Sequence, residues 1–469
     1  MRRCTLEEVA RFSGGRLIRG DPSLSVDRLH TDTRTLLAGD CFVALQGDRF
    51  DGHAFVPQVK GRGAVAALVS HGLDPADLPG DLGLVEVPDT LEALQRFAAN
   101  YRQLLSVRTI GVTGSSGKTS TKELIASVLR VRFKTKATEG NLNNHIGVPL
   151  TLIRLDEDDE YGVVEMGMNH PGELAPLVKM TAPEIGVISS IGPAHIEFFS
   201  DQAAIAAEKA ELIAALPPEG LAVLNADDEW SRRVANRTHA RVVWVGDHPD
   251  SSWRAQDLQI AADGLSFLLR HNGSAATVRL PVMNRVMAAN ALLAAAVGRE
   301  CGLTMDEIAR GLEAVRLPGA RMQVLNAHGS QAASGPWIIN DSYNANPDSM
   351  KAALTALGEF PGAIRRLAVL GSMGELGRHA AELHREVGEF AARRGLEFLI
   401  AVGPHAEACA KGAMEAGLSR NRIVAALDAE EAAVALKPLL REGDAVLVKG
   451  SHFMGLERLV NVITGKDAS

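Results

Sequence analysis

The sequence predicts an α/β protein of three domains, and three observations carry that expectation. The chain has 469 residues, about three times the length of an ordinary domain of roughly 150 residues. Apolar runs of buried-strand length alternate with helical patterns along most of it, as in βαβ units whose mostly parallel sheet is covered on both faces. One of those strands, Arg108-Thr109-Ile110-Gly111-Val112-Thr113, runs straight into a glycine-rich loop and then a helical pattern.

Residues 1–105 open with a helical segment at 5–12, then show short apolar runs at 41–45, 64–69 and 84–87 and a helix at 90–105. Gly, Asp and Pro punctuate the runs, so this stretch reads as a small α/β domain. Residues 106–318 form the second, with strands at 108–113, 162–165, 185–189 and 221–224. Between 252 and 280 the pattern changes, because two apolar runs flank His271-Asn272-Gly273, a hairpin signal that predicts an antiparallel extension. Helices at 284–299 and 305–316 follow, and Leu317-Pro318-Gly319-Ala320 breaks the regularity. Residues 319–469 resume the alternation: a strand to 340, a helix from 348, strands at 367–370, 398–402 and 444–448, helices at 380–394 and up to 416, and a closing helix. That is a doubly wound α/β domain.

Composition narrows the function. Lysine and arginine total 49 against 57 acidic residues, a net charge of −8 without any basic block, which excludes a general nucleic-acid binder. No apolar stretch approaches the roughly 20 residues that span a bilayer, so no membrane insertion is expected. The amino terminus passes directly into a charged helical pattern with no secretory signal, which predicts a cytoplasmic protein. Cys4, Cys41, Cys301 and Cys409 are scattered, a spacing that suits neither a disulfide framework nor a zinc site.

The loop Gly114-Ser115-Ser116-Gly117-Lys118-Thr119-Ser120 has the strand–loop–helix context of a phosphate cradle. Its glycines let backbone amides curl around phosphate oxygens, the helix amino terminus adds partial positive charge, Lys118 reaches the terminal phosphates, and the Thr119 hydroxyl can ligand Mg²⁺. Val112 stands where the longer Walker pattern has glycine, so the match is to Gly-x-x-Gly-Lys-Thr. ATP with Mg²⁺ is the expected nucleotide.

Ligands of open parallel sheets collect beyond the carboxyl ends of strands. Glu165 ends one such run, where a cation bridging phosphates needs an oxygen ligand. His195 lies beyond the next strand, although a single histidine is as readily a structural group. Lys209 sits in a helical pattern where an exposed lysine needs no explanation. Two polar segments also stand at strand ends. The loop 138–149, with Asn143 and Asn144, can bond a substrate or its own backbone, and 340–347 carries Asp341, Tyr343, Asn344 and Asn346.

Together these residues resemble the Mur ligases over nearly the whole chain. The motifs are Thr31-Asp32-Thr33-Arg34, Gly47-Asp48-Arg49-Phe50-Asp51-Gly52-His53, the phosphate loop, the segment 141–149, Glu165-Met166-Gly167, the stretch from His195 to Lys209, Asn290, the segment 340–347 and Val448-Lys449-Gly450-Ser451. The resemblance implies a UDP-binding first domain, an ATPase central domain and a Rossmann-like third domain that receives the incoming amino component. Segment 342–347 is similar to the branch that adds D-alanyl-D-alanine to UDP-N-acetylmuramoyl-tripeptide. By the same resemblance Lys118, Glu165, His195 and Lys209 are catalytic, and Thr119, Glu165, His195 and a carbamylated Lys209 hold metal. Gly114 to Ser120, Asn290, Arg321 and Asp341 bind the nucleotide. Thr33, Arg34, Asp51, His53, Asn143, Asn144, Tyr343, Asn344, Asn346 and Lys449 face the other substrates.

Three positions depart from the family pattern: Val286, where a polar residue is common, Ser372 in place of an aspartate, and His452 in place of an arginine. The expectation is a monomer acting on small molecules. The alternatives are another Mur ligase, a ligase like folylpolyglutamate synthase, or a nucleotide-binding P-loop protein that ligates nothing.

Overall fold

Three sheets follow one another along the chain, each wrapped by its own helices, in a computed structural model that describes residues 1–47, 50–70, 76, 78–261, 264–326 and 336–465. Asp48 and Arg49 of the 47–53 motif lie outside the described residues.

The first sheet runs Arg16–Arg19, Gly83–Val87, Ala66–Ser70, Asp40–Val43, Arg28–His30, with the first of these antiparallel and the rest parallel. Its opening helix, Leu6–Ser13, starts where Thr5 and Glu8 form a capping box and stops at Gly14, in the left-handed region at φ 72°. Both ends therefore have partners for amides or carbonyls that the helix itself leaves unpaired. This helix packs on Thr90–Gln103 through the edge-on rings of Phe12 and Phe97, 5.8 Å apart.

The second sheet has nine strands in the order Thr135–Ala137, Tyr161–Glu165, Arg108–Thr113, Ile185–Ile188, Leu221–Asn225, Arg241–Val245, Trp253–Ala261, Gly264–His271, Ser274–Leu280. The first seven are parallel, and the last two turn back antiparallel. Ile110, Val112, Val163 and Val187 are fully buried, as central strands covered on both faces must be. The expected hairpin closes at Asn272 and Gly273, both with positive φ (44° and 82°), between partners His271 and Ser274. Two central residues at positive φ match the twist of the flanking strands.

The third sheet runs Gln323–Asn326, Trp337–Asp341, Asp444–Lys449, Arg365–Gly371, Phe398–Val402, Ile423–Ala426, parallel except for its first strand. The sequence reading has neither Gln323–Asn326 nor Ile423–Ala426, nor the helix Ala429–Leu436. Gln323–Asn326 is a half-exposed edge strand, and Ile423-Val424-Ala425-Ala426 is only four residues long, with two alanines after its β-branched pair. The helix Pro347–Gly358 begins with Asn346 as its cap and proline in its first turn, where a missing N–H costs nothing.

Candidate active site

The carboxyl ends of the second and third sheets face one cavity of about 860 Å³. Residues 115–120 line it from the end of Arg108–Thr113, Glu165 and 167–170 from the end of Tyr161–Glu165, and His195 from beyond Ile185–Ile188. Asp341, Tyr343, Asn344, Asn346 and Lys449 line it from the third sheet, while Asn290 and Arg321 complete the wall between them.

Glycine at 114 and 117 is a geometric requirement of the phosphate loop. A Cβ on Gly114 would lie 2.0 Å from Ser189 Oγ, and one on Gly117, at φ 81°, would lie 3.0 Å from Asn290 Oδ1. The loop is braced from the neighbouring strand, Ser115 N–H donating to Ser190 O at 2.8 Å and Ser115 Oγ to Gly192 O at 2.8 Å. Helix Lys118–Leu129 then begins, and its first amides, Ser120 included, have no intrahelical acceptor. Lys118 folds back to donate to Gly114 O at 2.8 Å. Burial pushes its ammonium below the ordinary lysine value, with Glu165 opposing the shift and Arg321 adding to it.

Glu165 is the hub of the polar wall. Its Oε1 accepts from Thr119 Oγ1 at 3.2 Å and from Asn143 Nδ2 at 2.8 Å. Its own N–H donates to Thr138 Oγ1 at 2.9 Å. Oε2 is buried and has no hydrogen-bond partner among the described residues. A buried carboxylate oxygen left bare is costly, and Mg²⁺ is usually held by one or two carboxylates together with substrate phosphates. Glu165 beside the Thr119 hydroxyl fits that demand. Among the described residues no three His, Cys, Asp or Glu side chains converge as a ready-made metal cage.

Lys209 lies on helix Gln202–Ala214, only 1% exposed, and does not line the cavity. Its burial corrects the sequence-based picture of an exposed helical lysine. Burial drives its pKa well down and Lys118 drives it further, against a smaller opposing pull from Glu208. His195 donates through Nδ1 to the carboxylate of Glu375, which comes from the loop after Arg365–Gly371.

Across the cavity, Asp341 Oδ2 accepts from Lys449 Nζ at 2.6 Å and Oδ1 from Met322 N–H at 3.0 Å, and Lys449 also reaches Asn344 O at 2.9 Å. Arg321 spans the boundary between the two sheets. It donates to Thr119 Oγ1 at 3.1 Å while its guanidinium lies 4.1 Å from the centre of the Tyr343 ring. Asn346 donates to Ser115 O at 3.1 Å, a second tie to the phosphate loop. Asn144 lines the same cavity and bonds its own loop, accepting from Gly147 N–H at 2.9 Å.

Four expected residues lie elsewhere. Thr33, Arg34, Asp51 and His53 sit on the first sheet's loops and none lines the cavity. Arg34 pairs with Asp32 at 2.7 Å, and His53 is bonded at both ring nitrogens, to Asp51 at 2.6 Å and to Ser70 N–H at 2.9 Å. The Arg34 and Asp51 contacts are local, and the Ser70 contact ties His53 to the end of strand Ala66–Ser70.

Three family models match the chain in order: the Mur ligase family catalytic domain over residues 25–102, the Mur ligase middle domain over 112–298, and the Mur ligase glutamate ligase domain over 320–452. The UDP-N-acetylmuramoyl-tripeptide--D-alanyl-D-alanine ligase of Escherichia coli is 37% identical over 98% of both chains. The chain belongs to the Mur ligase family. The Bacillus subtilis enzyme of the same name is 33% identical over 97% of both chains. Among solved structures, MurF from Acinetobacter baumannii covers 99% of both chains at 29% identity and TM-score 0.89. MurF from Thermotoga maritima in complex with ADP covers 94% of this chain and 97% of its own at 28% identity and TM-score 0.81. A Mycobacterium tuberculosis folylpolyglutamate synthase is similar at TM-score 0.64 and 19% identity, a likeness of fold alone.

In this Mur ligase the sequence does not by itself single out His145, His170 and Glu173, which line the cavity, or Glu375, which touches His195. His170 and Glu173 follow the end of Tyr161–Glu165, so the strand-end rule alone reaches them. Glu375 had no such signal, because its role depends on two sheets meeting. Of the departures, Ser372 is absorbed by the scaffold, donating to Val402 O at 3.0 Å, whereas Val286 lines the cavity and the His452 ring lies 6.0 Å from Tyr343.

Proposed function

We propose that this Mur ligase joins D-alanyl-D-alanine to UDP-N-acetylmuramoyl-tripeptide, converting ATP to ADP and phosphate, in residues organised as a UDP-binding domain 1–105, an ATPase domain 106–318 and a dipeptide-binding domain 319–469. The observation that carries the reading is that the phosphate loop and the strand ends of the third sheet share one cavity, in a chain matched end to end by relatives bearing that name.

A carboxylate and an ammonium do not condense in water, since the leaving oxygen is poor and the amine is protonated. The substrate's terminal carboxylate oxygen attacks the γ-phosphorus of ATP, the bond to ADP breaks, and an acyl phosphate forms. The free amine of D-alanyl-D-alanine attacks the acyl carbon, the C–O bond breaks, phosphate leaves, and the amine's proton passes to solvent.

The chain's work is positioning and charge stabilisation. Amides of residues 117–120 and the Lys118 ammonium cradle the β- and γ-phosphates, spreading charge as it develops. Asn290, Arg321 and Asp341 hold the rest of the nucleotide. Mg²⁺, when bound, neutralises phosphate oxygens. Thr119 and Glu165 would hold it, joined by His195 and by Lys209 once its amine has taken up CO₂ as a carbamate. The depressed proton affinity of Lys209 supports that role, because only the neutral amine reacts with CO₂. Tyr343, Asn344, Asn346 and Lys449 face the dipeptide, Asn143 and Asn144 the tripeptide end, and Thr33, Arg34, Asp51 and His53 the UDP end.

The reading also takes the enzyme to be a cytoplasmic monomer that binds small molecules rather than nucleic acid, in keeping with its net charge of −8. Among the described residues no helix is long and apolar enough to cross a membrane. Phosphate release that requires both the muramoyl tripeptide and D-alanyl-D-alanine tests the assignment. Release with either one alone, or none with both, would sink it. Intact mass of the product formed from a mixture of muramoyl peptides names the acceptor, and light scattering checks the monomer.

A further inference from the structure

Two residues held in the left-handed backbone region meet across the boundary between the second and third sheets. His195 has φ 62° and Glu375 has φ 59°, and neither is glycine. Such a conformation is strained and persists only where surroundings over-determine it. Here the surroundings are each other. The Glu375 carboxylate bonds His195 Nδ1, and its backbone carbonyl accepts from Glu197 N–H at 3.2 Å. Gly377 fits so closely that a Cβ there would lie 2.9 Å from Glu197 Cγ.

The loop bearing Glu375 is rigid from behind. Met373 N–H donates to His384 Nε2 at 2.8 Å, and His384 Nδ1 donates to Ala380 O at 2.6 Å. Gly374 N–H donates to Ser451 Oγ at 2.9 Å, tying the loop to the segment after Asp444–Lys449. Glu375 is therefore held on the scaffold of the third sheet.

An imidazole whose Nδ1–H is bound by a carboxylate keeps its proton on that nitrogen and has its ring plane fixed. His195 lines the phosphate cavity, and Nε2 has no partner among the described residues. The geometry points to Glu375 as a positioning residue: docking of the third domain delivers this carboxylate to His195 and so sets the ring that faces the phosphates. The inference rests on the ligase reading and adds to it a coupling. The ring that faces the phosphate cavity is held by a carboxylate from the domain assigned to the incoming dipeptide.

The test compares wild type with Glu375→Ala, Glu375→Gln and Glu375→Asp. Loss of a carboxylate that orients a metal-site histidine typically costs about 10–100-fold. Accordingly kcat should fall by that factor in the first two variants and recover in part in Glu375→Asp, with ADP affinity by calorimetry unchanged within about 3-fold. A second readout needs no turnover. Ring nitrogen shifts of ¹⁵N-histidine protein saturated with ADP, assigned through His195→Gln, should show the Nδ1–H tautomer in wild type and a mixed or Nε2–H population in Glu375→Ala. An unchanged tautomer, an undiminished kcat, or a matching loss of ADP affinity would overturn the inference. Because the spectra read His195 directly, failure of the ligase assignment would leave that arm standing and be distinguishable.

Discussion

Asp341 and Lys449 are the final residues of two neighbouring parallel strands, paired in register, and their side chains close that register with a 2.6 Å ion pair at the cavity wall. The Lys449 side chain is 3% exposed and that of Asp341 15%, so both charges are largely withdrawn from water. Removing one partner of such a pair strands the other.

Lys449→Met is therefore expected to destabilise the third sheet by about 3 kcal/mol, the usual cost of an uncompensated buried charge. Native-state hydrogen exchange at the Ile339 and Leu447 amides measures it, and Asp341→Asn in the same background should restore part of the loss. Unchanged protection in the single variant would mean the pair contributes nothing.

Lys118→Ala removes the ammonium over the phosphate loop while sparing the glycines that shape it. Loss of one donor to developing charge costs about 10²–10³-fold in kcat, and phosphate release reads it. A variant within 3-fold of wild type would remove Lys118 from the chemistry.

Lys209 gives a stability prediction with a definite sign. Its folded pKa lies well below the ordinary 10.5 because of burial and the Lys118 charge. Between those two values the unfolded chain binds the proton and the folded chain does not, so stability rises with pH across that window. In bicarbonate-free buffer Lys209→Met should be inactive yet more stable than wild type at neutral pH, with the advantage shrinking toward pH 10.5. Denaturant melts from pH 7 upward measure this, and a constant difference between the two proteins would contradict a suppressed ammonium.

Arg321 acts in two directions at once, on Thr119 and on the Tyr343 ring. Lysine cannot reproduce a planar group that stacks and donates together. Arg321→Lys should raise the KM for ATP about 10-fold, within the 0.5–2 kcal/mol range of a desolvated cation–π contact plus a weakened hydrogen bond. Tyr343→Phe should leave KM near wild type, and a 10-fold rise there would shift the role to the hydroxyl.

The sequence made the phosphate loop, Glu165 and the Asp341 segment legible because each depends on local rules: glycine spacing, a strand end, a cap. The strand Arg108–Thr113 and the Asn272-Gly273 turn followed for the same reason. Strands such as Ile423–Ala426 escaped, since their membership in a sheet is set by neighbours far along the chain. Lys209 was misread as exposed because helical position does not reveal what covers a side chain. Glu375 shows the same limit at the site itself, as its partner His195 comes from another sheet.

Since the second and third sheets turn the carboxyl ends of their parallel strands to a single cavity, the opposite rims lie away from it. There the turns at Gly362 and Gly395 lead into Arg365–Gly371 and Phe398–Val402, and neither has an atom within 4 Å of where a side chain would begin. An engineer could splice an epitope or a dye-labelled peptide into either turn and report on the third domain while leaving the cavity alone. Natural lineages have the same freedom to lengthen that rim.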